Sequence, residues 1–388
     1  MEKRWSTLIA LLGLQLAMLA CSCCEYRGSG SIGAWSVYAT DVDGDGDVDV
    51  LGAAMHCDIT WWENDGKENF TQHTIGQPFN VAVSVHATDV DRDGDVDVLG
   101  AAKSDNAIAW WENDGKENFT RHTIVDNFEG AFSVYATDVD GDGDVDILGA
   151  AGYADAITWW ENDGNHNFIG HTIKDDFNAA VSVYATDVDG DGDVDVLGAA
   201  EIEGAITWWE NEGSESFTEH PVVDNFEGAS SVYATDVDRD GDVDILGAAH
   251  VANGITWWEN DGNENFVEYA IANDFRDAAS VYATDLDSDG DVDVLGAATD
   301  AHAISWWENG GDENFTEHNI TDDFYGAASV YATDVDGDGD VDVLGAGFVA
   351  DRLTWWENDG RQNFIEHTIA RNVECEEGYR CAFPQACD

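Results

Sequence analysis

Apolar residues in this chain come in short bursts of five to seven, separated by runs of Asp, Gly and Asn, and the same four bursts return every 48 or 49 residues. In the clearest copy they are Ser133–Thr137, Val145–Ala151, Ala156–Glu161 and Phe168–Ile173, each rich in Val, Ile, Tyr, Thr or Trp. Runs of this length and composition, bounded by turn-forming residues, predict β-strands. Asn162-Asp163-Gly164 supplies a hairpin turn between the third and fourth. An acidic loop joins the first and second. Beyond the N-terminal segment no stretch shows helical periodicity, and only three prolines interrupt the whole chain.

The unit repeats seven times between about Ser36 and Ile369. Four strands in each of seven units predict an all-β fold, a seven-bladed β-propeller of four-stranded blades. A parallel β-helix would need shorter coils, and tandem independent domains would need more than 49 residues each. One blade is too small to bury both its faces, so each must pack against two neighbours and the ring must close. The repeats start and end in the same phase, which leaves no strand to pair across the seam. Closure is therefore expected by face packing between blades one and seven, helped by residues 28–35. The boundaries read as a leader over 1–20, a linker over 21–35, the propeller over 36–370 and a tail over 371–388.

Fourteen of the 16 tryptophans fall in adjacent pairs, at 61/62, 110/111, 159/160, 208/209, 257/258, 306/307 and 355/356. Neighbours on a strand face opposite ways. One ring of each pair is expected to pack on the preceding blade and the other on the following one, with a sugar-stacking platform as the alternative for any exposed pair.

The loop between the first two strands carries the chemistry. Its first copy reads Asp41-Val42-Asp43-Gly44-Asp45-Gly46-Asp47-Val48-Asp49. The second places Asp89, Asp91, Asp93, Asp95 and Asp97 at the same positions, and the third Asp138, Asp140, Asp142, Asp144 and Asp146. The fourth has Asp187, Asp189, Asp191, Asp193 and Asp195, and the fifth Asp236, Asp238, Asp240, Asp242 and Asp244. Asp285, Asp287, Asp289, Asp291 and Asp293 form the sixth, and Asp334, Asp336, Asp338, Asp340 and Asp342 the seventh. Carboxylates at positions 1, 3, 5 and 9 with glycine at 6 make a cage of hard oxygens, which suits Ca²⁺. Position 7 is expected to offer its backbone carbonyl. Helix-flanked calcium loops share this opening but need a carboxylate at position 12, where all seven copies have glycine (Gly52, Gly100, Gly149, Gly198, Gly247, Gly296, Gly345). Up to seven structural calcium ions are expected, because without them the carboxylates repel one another.

Charge sharpens this picture. The formal net charge is −66, from 15 basic and 81 acidic residues, and 35 of those acids sit in the loops. Seven divalent ions would still leave about −52, so nucleic acid and anionic membranes are excluded as partners. The 44% apolar content with 16 Trp and 16 Phe excludes a disordered acidic chain. Lys3 and Arg4 precede an apolar run, Leu8 to Ala20, too short to span a membrane and typical of a secretory leader. The ending Met18-Leu19-Ala20-Cys21 resembles a bacterial lipobox, which would put lipid on Cys21; ordinary cleavage near Ala20 is the alternative. Either way the protein is expected outside the cell. Cys21, Cys23 and Cys24 follow the leader, Cys375, Cys381 and Cys387 lie in the tail, and Cys57 alone falls within a repeat, as a plain thiol.

In its Asp-x-Asp-x-Asp-Gly-x-x-Asp loops between first and second strands, the unit resembles the FG-GAP/VCBS repeat family over about residues 36–369. That resemblance implies the calcium-binding propeller of integrin α chains and of certain propeller lectins. It implies ligands at Asp41, Asp43, Asp45 and Asp49 and their counterparts. The departures are Arg92, Arg239 and Ser288 at position 4, whose side chains are expected to point outward. Family functions range from adhesion to sugar binding to accessory domains of enzymes.

The His that recurs at 73, 122, 171, 220, 318 and 367 is Tyr269 in the fifth copy, so it reads as a packing residue and not a metal or acid–base group. Glu63 and Asn64 with their repeats are expected to order the hairpin turn. The segments between second and third strands differ most from copy to copy: Met55–Asp58, Lys103–Asn106, Gly152–Asp155, Glu201–Gly204, His250–Asn253, Thr299–His302 and Gly347–Arg352. Loops of that kind on one face of a rigid ring are where a binding surface is built. No catalytic motif stands out. The reading is a monomeric glycan-binding or adhesion module rather than an enzyme, with an extracellular protein as the alternative partner.

Overall fold

The structure is a computed structural model and describes residues 33–371 except 55–56, 76–78, 214–215 and 312–313. The leader, the tail, their six cysteines and the side chain of Cys57 lie outside the described residues. Seven antiparallel four-stranded sheets follow one another, each with its strands in chain order. In the third blade the strands are Ala131–Thr137, Asp146–Ala151, Ala156–Asn162 and Phe168–Lys174. The first begins at Ala34 and the last ends at Arg371. This is the seven-bladed propeller that the repeat predicts. No helix of the described residues is long and apolar enough to cross a membrane.

The second strand of every blade is buried along its whole length, since it is covered by a neighbouring blade on each face. The Trp pairs share out those faces as expected. Trp61 joins Trp111 in the core between blades one and two, while Trp62 joins Trp355 between blades one and seven. All fourteen rings are only 0–5% exposed. Position 12 of the loop shows why it must be glycine. A Cβ on Gly149 would meet Ile108 Cδ1 of the preceding blade at 2.5 Å and Trp160 Cζ3 at 2.9 Å.

The first strands line the axis and bind the ring together. Each Ser at the third place of that strand accepts the Val N–H of the next blade at 3.3–3.5 Å, all the way round from Ser36 to Ser329. Two residues on, Tyr38, His86, Tyr135, Tyr184, Tyr233, Tyr282 and Tyr331 form a closed ring of tilted aromatics with centroids 4.9–5.0 Å apart. The seam is closed by face packing. Ala34, Val37, Val50 and Trp62 pack on Leu344, Leu353 and Trp355, and Gly33 N–H bonds to Phe348 O at 2.9 Å.

Candidate metal centres and binding face

The acidic loops all lie on one face, together with the hairpins that join third and fourth strands. In each loop the position-9 Asp is 0% exposed. Its two oxygens accept the N–H of loop position 2 and the N–H of the Asn that ends the third strand, as in Asp195 with Val188 (2.8 Å) and Asn211 (2.7 Å). All seven copies repeat both bonds within 2.7–3.0 Å. Burial pushes this carboxyl up, to about 6 in Asp49 and Asp146 and to about 7 in Asp97, Asp195, Asp244, Asp293 and Asp342, against the pull of the two N–H groups.

Positions 1 and 3 turn toward the same space. Oxygens of Asp89, Asp91 and Asp97 lie within 4.8 Å of one another, as do those of Asp138, Asp140 and Asp146 and those of Asp187, Asp189 and Asp195. In the first loop the group is Asp41, Asp43 and Asp45. All seven position-3 carboxyls are raised, first by desolvation and then by their acidic neighbours. Asp89, Asp138, Asp236 and Asp285 each hold a buried Oδ1 that no protein donor reaches. A buried carboxylate oxygen without a donor is costly unless a cation meets it. The donor set is all oxygen, so these residues fit a hard divalent ion. Position 5 caps the following turn, as Asp45 Oδ1 does for the N–H of Asp47 at 2.9 Å. The position-7 carboxylates point elsewhere and touch the hairpin glycines, Asp144 meeting Gly164.

Two expectations for neighbouring side chains need correction. Arg92 and Arg239 do not simply point outward. They reach sideways to the next blade's loop, Arg92 to Asp144 at 3.5 Å and Arg239 to Asp291 at 2.9 Å. Glu63 does not order the hairpin. It pairs with His73 at 2.7 Å, and the same Glu–His bond recurs in six blades at 2.7–2.9 Å, with the imidazole stacked on the first Trp of the pair. Tyr269 stacks on Trp257 in the same way, so the packing role holds where the imidazole is replaced. Asn64 does serve the turn, accepting the N–H of Gly66, and also donates to Val335 O of the neighbouring loop at 3.2 Å.

The opposite face carries the variable connections and is not sevenfold. Around the axial mouth Trp35 stacks on Phe348 at 5.1 Å and meets Phe132 edge-on, while the Lys103 ammonium lies 5.0 Å over Phe132 and 5.3 Å over Tyr153. Trp35 sits at a bulge in the first strand, which releases it from the pleat. Across the mouth Glu201 bonds His250 at 3.0 Å, and His250 faces Asp277 at 3.6 Å. The His250 bond holds the Glu201 carboxyl below its ordinary range, and the charge of Lys103 adds to this. Tyr153, Ile202, Val251 and Val349 stand 47–67% exposed on the same connections, and Tyr325 is 50% exposed on the link between blades six and seven. Aligning the copies found the variable segments, but nothing in the sequence showed that their side chains share one mouth.

A closed ring of seven four-stranded blades with an Asp-rich loop on each defines a seven-bladed β-propeller of repeated blades. The FG-GAP-like repeat matches six overlapping windows, 41–100, 89–149, 138–198, 187–247, 236–296 and 285–345. The chain belongs to that family. No curated protein matches it. Among solved structures it is similar to a streptogramin B lyase at 15% identity and TM-score 0.58, over 84% of this chain and 94% of that one. Virginiamycin B lyase from Staphylococcus aureus follows at 14% identity and TM-score 0.58, over 84% and 94%. BBS1N in complex with ARL6DN shares 8% identity at TM-score 0.55, over 82% and 90%. At these identities the likeness is one of fold alone. The fold supports a protein-interaction or adhesion-type module.

Proposed function

We propose that the chain is a calcium-stabilised adhesion module that works outside the cell and holds an extracellular protein on the face of the variable connections. The observation that carries this reading is the asymmetry of that face. Most of each blade repeats, while Tyr153, Ile202, Val251 and Val349 stand exposed on the connections of that face beside a charged, aromatic mouth that has no sevenfold counterpart. Loops on a rigid scaffold are the usual place for recognition. Seven equivalent sugar sites on the Trp pairs have no support, since those rings are buried. A glycan remains the second reading at the mouth, where Trp35, Phe132 and Tyr153 stand near Glu201 and His250, a mix of stacking surface and hydrogen-bonding groups. Calcium would be held by positions 1, 3 and 9 of each loop with position 5, and would reinforce the ring and not touch the partner. The charged and then apolar segment from Lys3 to Ala20 supports export.

The test is a screen of the secreted chain against extracellular proteins and a glycan array, in millimolar calcium and in chelator. Hits are repeated with Tyr153→Ser combined with Val349→Ser, and with Lys67→Ala on the opposite face. The reading expects the double variant to lose at least about tenfold in affinity and Lys67→Ala to lose none. Binding that survives the double variant would remove this face from the argument.

A further inference from the structure

A second kind of site lies in the clefts between blades, where the connection from a fourth strand to the next first strand passes the following blade. Each such connection carries a Phe set edge-on against the second Trp of the next blade, from Phe79 on Trp111 to Phe324 on Trp356. Three clefts hold a cation supplied by the chain. Between blades three and four the Lys174 ammonium bridges Glu219 at 2.8 Å and Asp176 at 2.9 Å. Between six and seven the Arg352 guanidinium lies 4.8 Å over Phe324 and bonds Glu366 at 2.7 Å. Between one and two Arg121 lies 4.9 Å over Phe79 and 5.7 Å over Trp111.

The cleft between blades five and six keeps the same frame without the cation. Glu317 stands where Glu219 stands, Asp274 where Asp176 stands, and Phe275 and Trp307 form the same aromatic pair at 5.1 Å. Where the other cleft has Lys174, this one has Ala272. The exchange opens a cavity of about 280 Å³, lined by Ile271, Phe275, Trp307 and Phe315 with Asp274 and Glu317. Among the described residues Glu317 accepts one long hydrogen bond, from Ser305 Oγ at 3.5 Å. The volume approaches that of small ligand pockets, about 300 Å³. Two carboxylates above an aromatic and aliphatic floor suit a cation on a short carbon chain.

We infer that the cleft between blades five and six is a binding pocket for an alkylammonium group brought by a ligand, the place that Lys174 fills by itself two blades earlier. The group is either the side chain of a lysine on a protein or a free polyamine. This goes beyond the interaction reading above and stands without it, since no residue of the axial mouth takes part.

The test uses the full chain in millimolar calcium at physiological salt, with n-butylammonium as probe and 1-butanol as its neutral counterpart. Ligand-observed NMR and calorimetry are expected to show one saturable site for butylammonium and none for butanol. Glu317→Gln should weaken it about tenfold. Ala272→Lys should abolish it by supplying the chain's own cation, and Lys174→Ala should create a second site and double the stoichiometry. Calcium-bound thermal stability checks that each variant is folded, and the gain in Lys174→Ala does not depend on a loss. Binding that persists in Ala272→Lys, or a stoichiometry that does not rise in Lys174→Ala, would mean counterions gathering on an acidic surface and would overturn the inference. Cadaverine and the peptide acetyl-Ala-Lys-Ala-amide separate the sources: preference for the first supports a polyamine, preference for the second a protein lysine, and binding of neither overturns the pocket.

Discussion

The metal-free protein should be more stable at pH 5.5 than at pH 8, whereas carboxylates of ordinary pKa, ionised at both pH values, would leave its stability nearly level. The perturbation is pH alone, and the groups that answer are the seven position-9 aspartates. Their carboxyls are pushed up to about 7 at Asp97, Asp195, Asp244, Asp293 and Asp342 and to about 6 at Asp49 and Asp146. In the unfolded chain an aspartate titrates near 3.9. The folded state therefore keeps protons that the unfolded chain has released. That contribution is complete below the unfolded pKa and is lost as pH rises through 6 to 7. Between pH 5.5 and 8 a site at about 7 loses about 2 kcal/mol and one at about 6 loses about 1 kcal/mol. Over seven sites the loss is on the order of 10 kcal/mol, which rivals the stability of a whole domain. The assay is thermal unfolding of metal-stripped protein at half-unit steps of pH, then again with millimolar calcium. Calcium should raise the melting temperature most at pH 8 and flatten the profile, because it neutralises the charges that burial disfavours. A metal-free melting temperature that stays level or rises from pH 5.5 to 8 would refute the reasoning.

Three further outcomes are expected. Asp140→Ala should cost about 2.7 kcal/mol of stability at calcium one hundred times the site's dissociation constant and little in chelator, measured by denaturant unfolding in each condition; equal loss in both would take the ion out of the account. Trp209→Ala, which empties a ring 1% exposed between blades three and four, should cost about 3–5 kcal/mol without moving the calcium midpoint of the folding transition. His86 is the one departure from the axial tyrosines, and burial pushes its imidazole down to about 4. It favours folding above its unfolded pKa of about 6.5 and loses about 2 kcal/mol by pH 5. His86→Tyr should therefore stabilise the calcium-free protein at pH 5 more than at pH 8, and an equal effect at both pH values would count against the buried neutral ring.

By itself the sequence determined whatever repeats. A period of 49 with four strands in it leaves little choice but a closed ring of seven blades. Two adjacent Trp on one strand must face two different neighbours, as Trp61 and Trp62 do. Five aspartates spaced two apart mark the loop and its place between the first two strands. What the sequence could not decide is how positions one or more periods apart meet, because ring closure and the offset between blades set those distances. Tyr38 and Tyr331 stand far apart along the chain and 4.9 Å apart at the axis. In sequence Asp49 looks like one more ligand, and only the fold shows that its two oxygens also accept backbone N–H groups from the loop and the third strand. Only the packed ring shows that Lys103 and Glu201 share a mouth and that Ala272 leaves a cleft with two carboxylates and no cation of its own. Local pattern dictates each blade, and the curvature of the ring decides which side chains of different blades become neighbours.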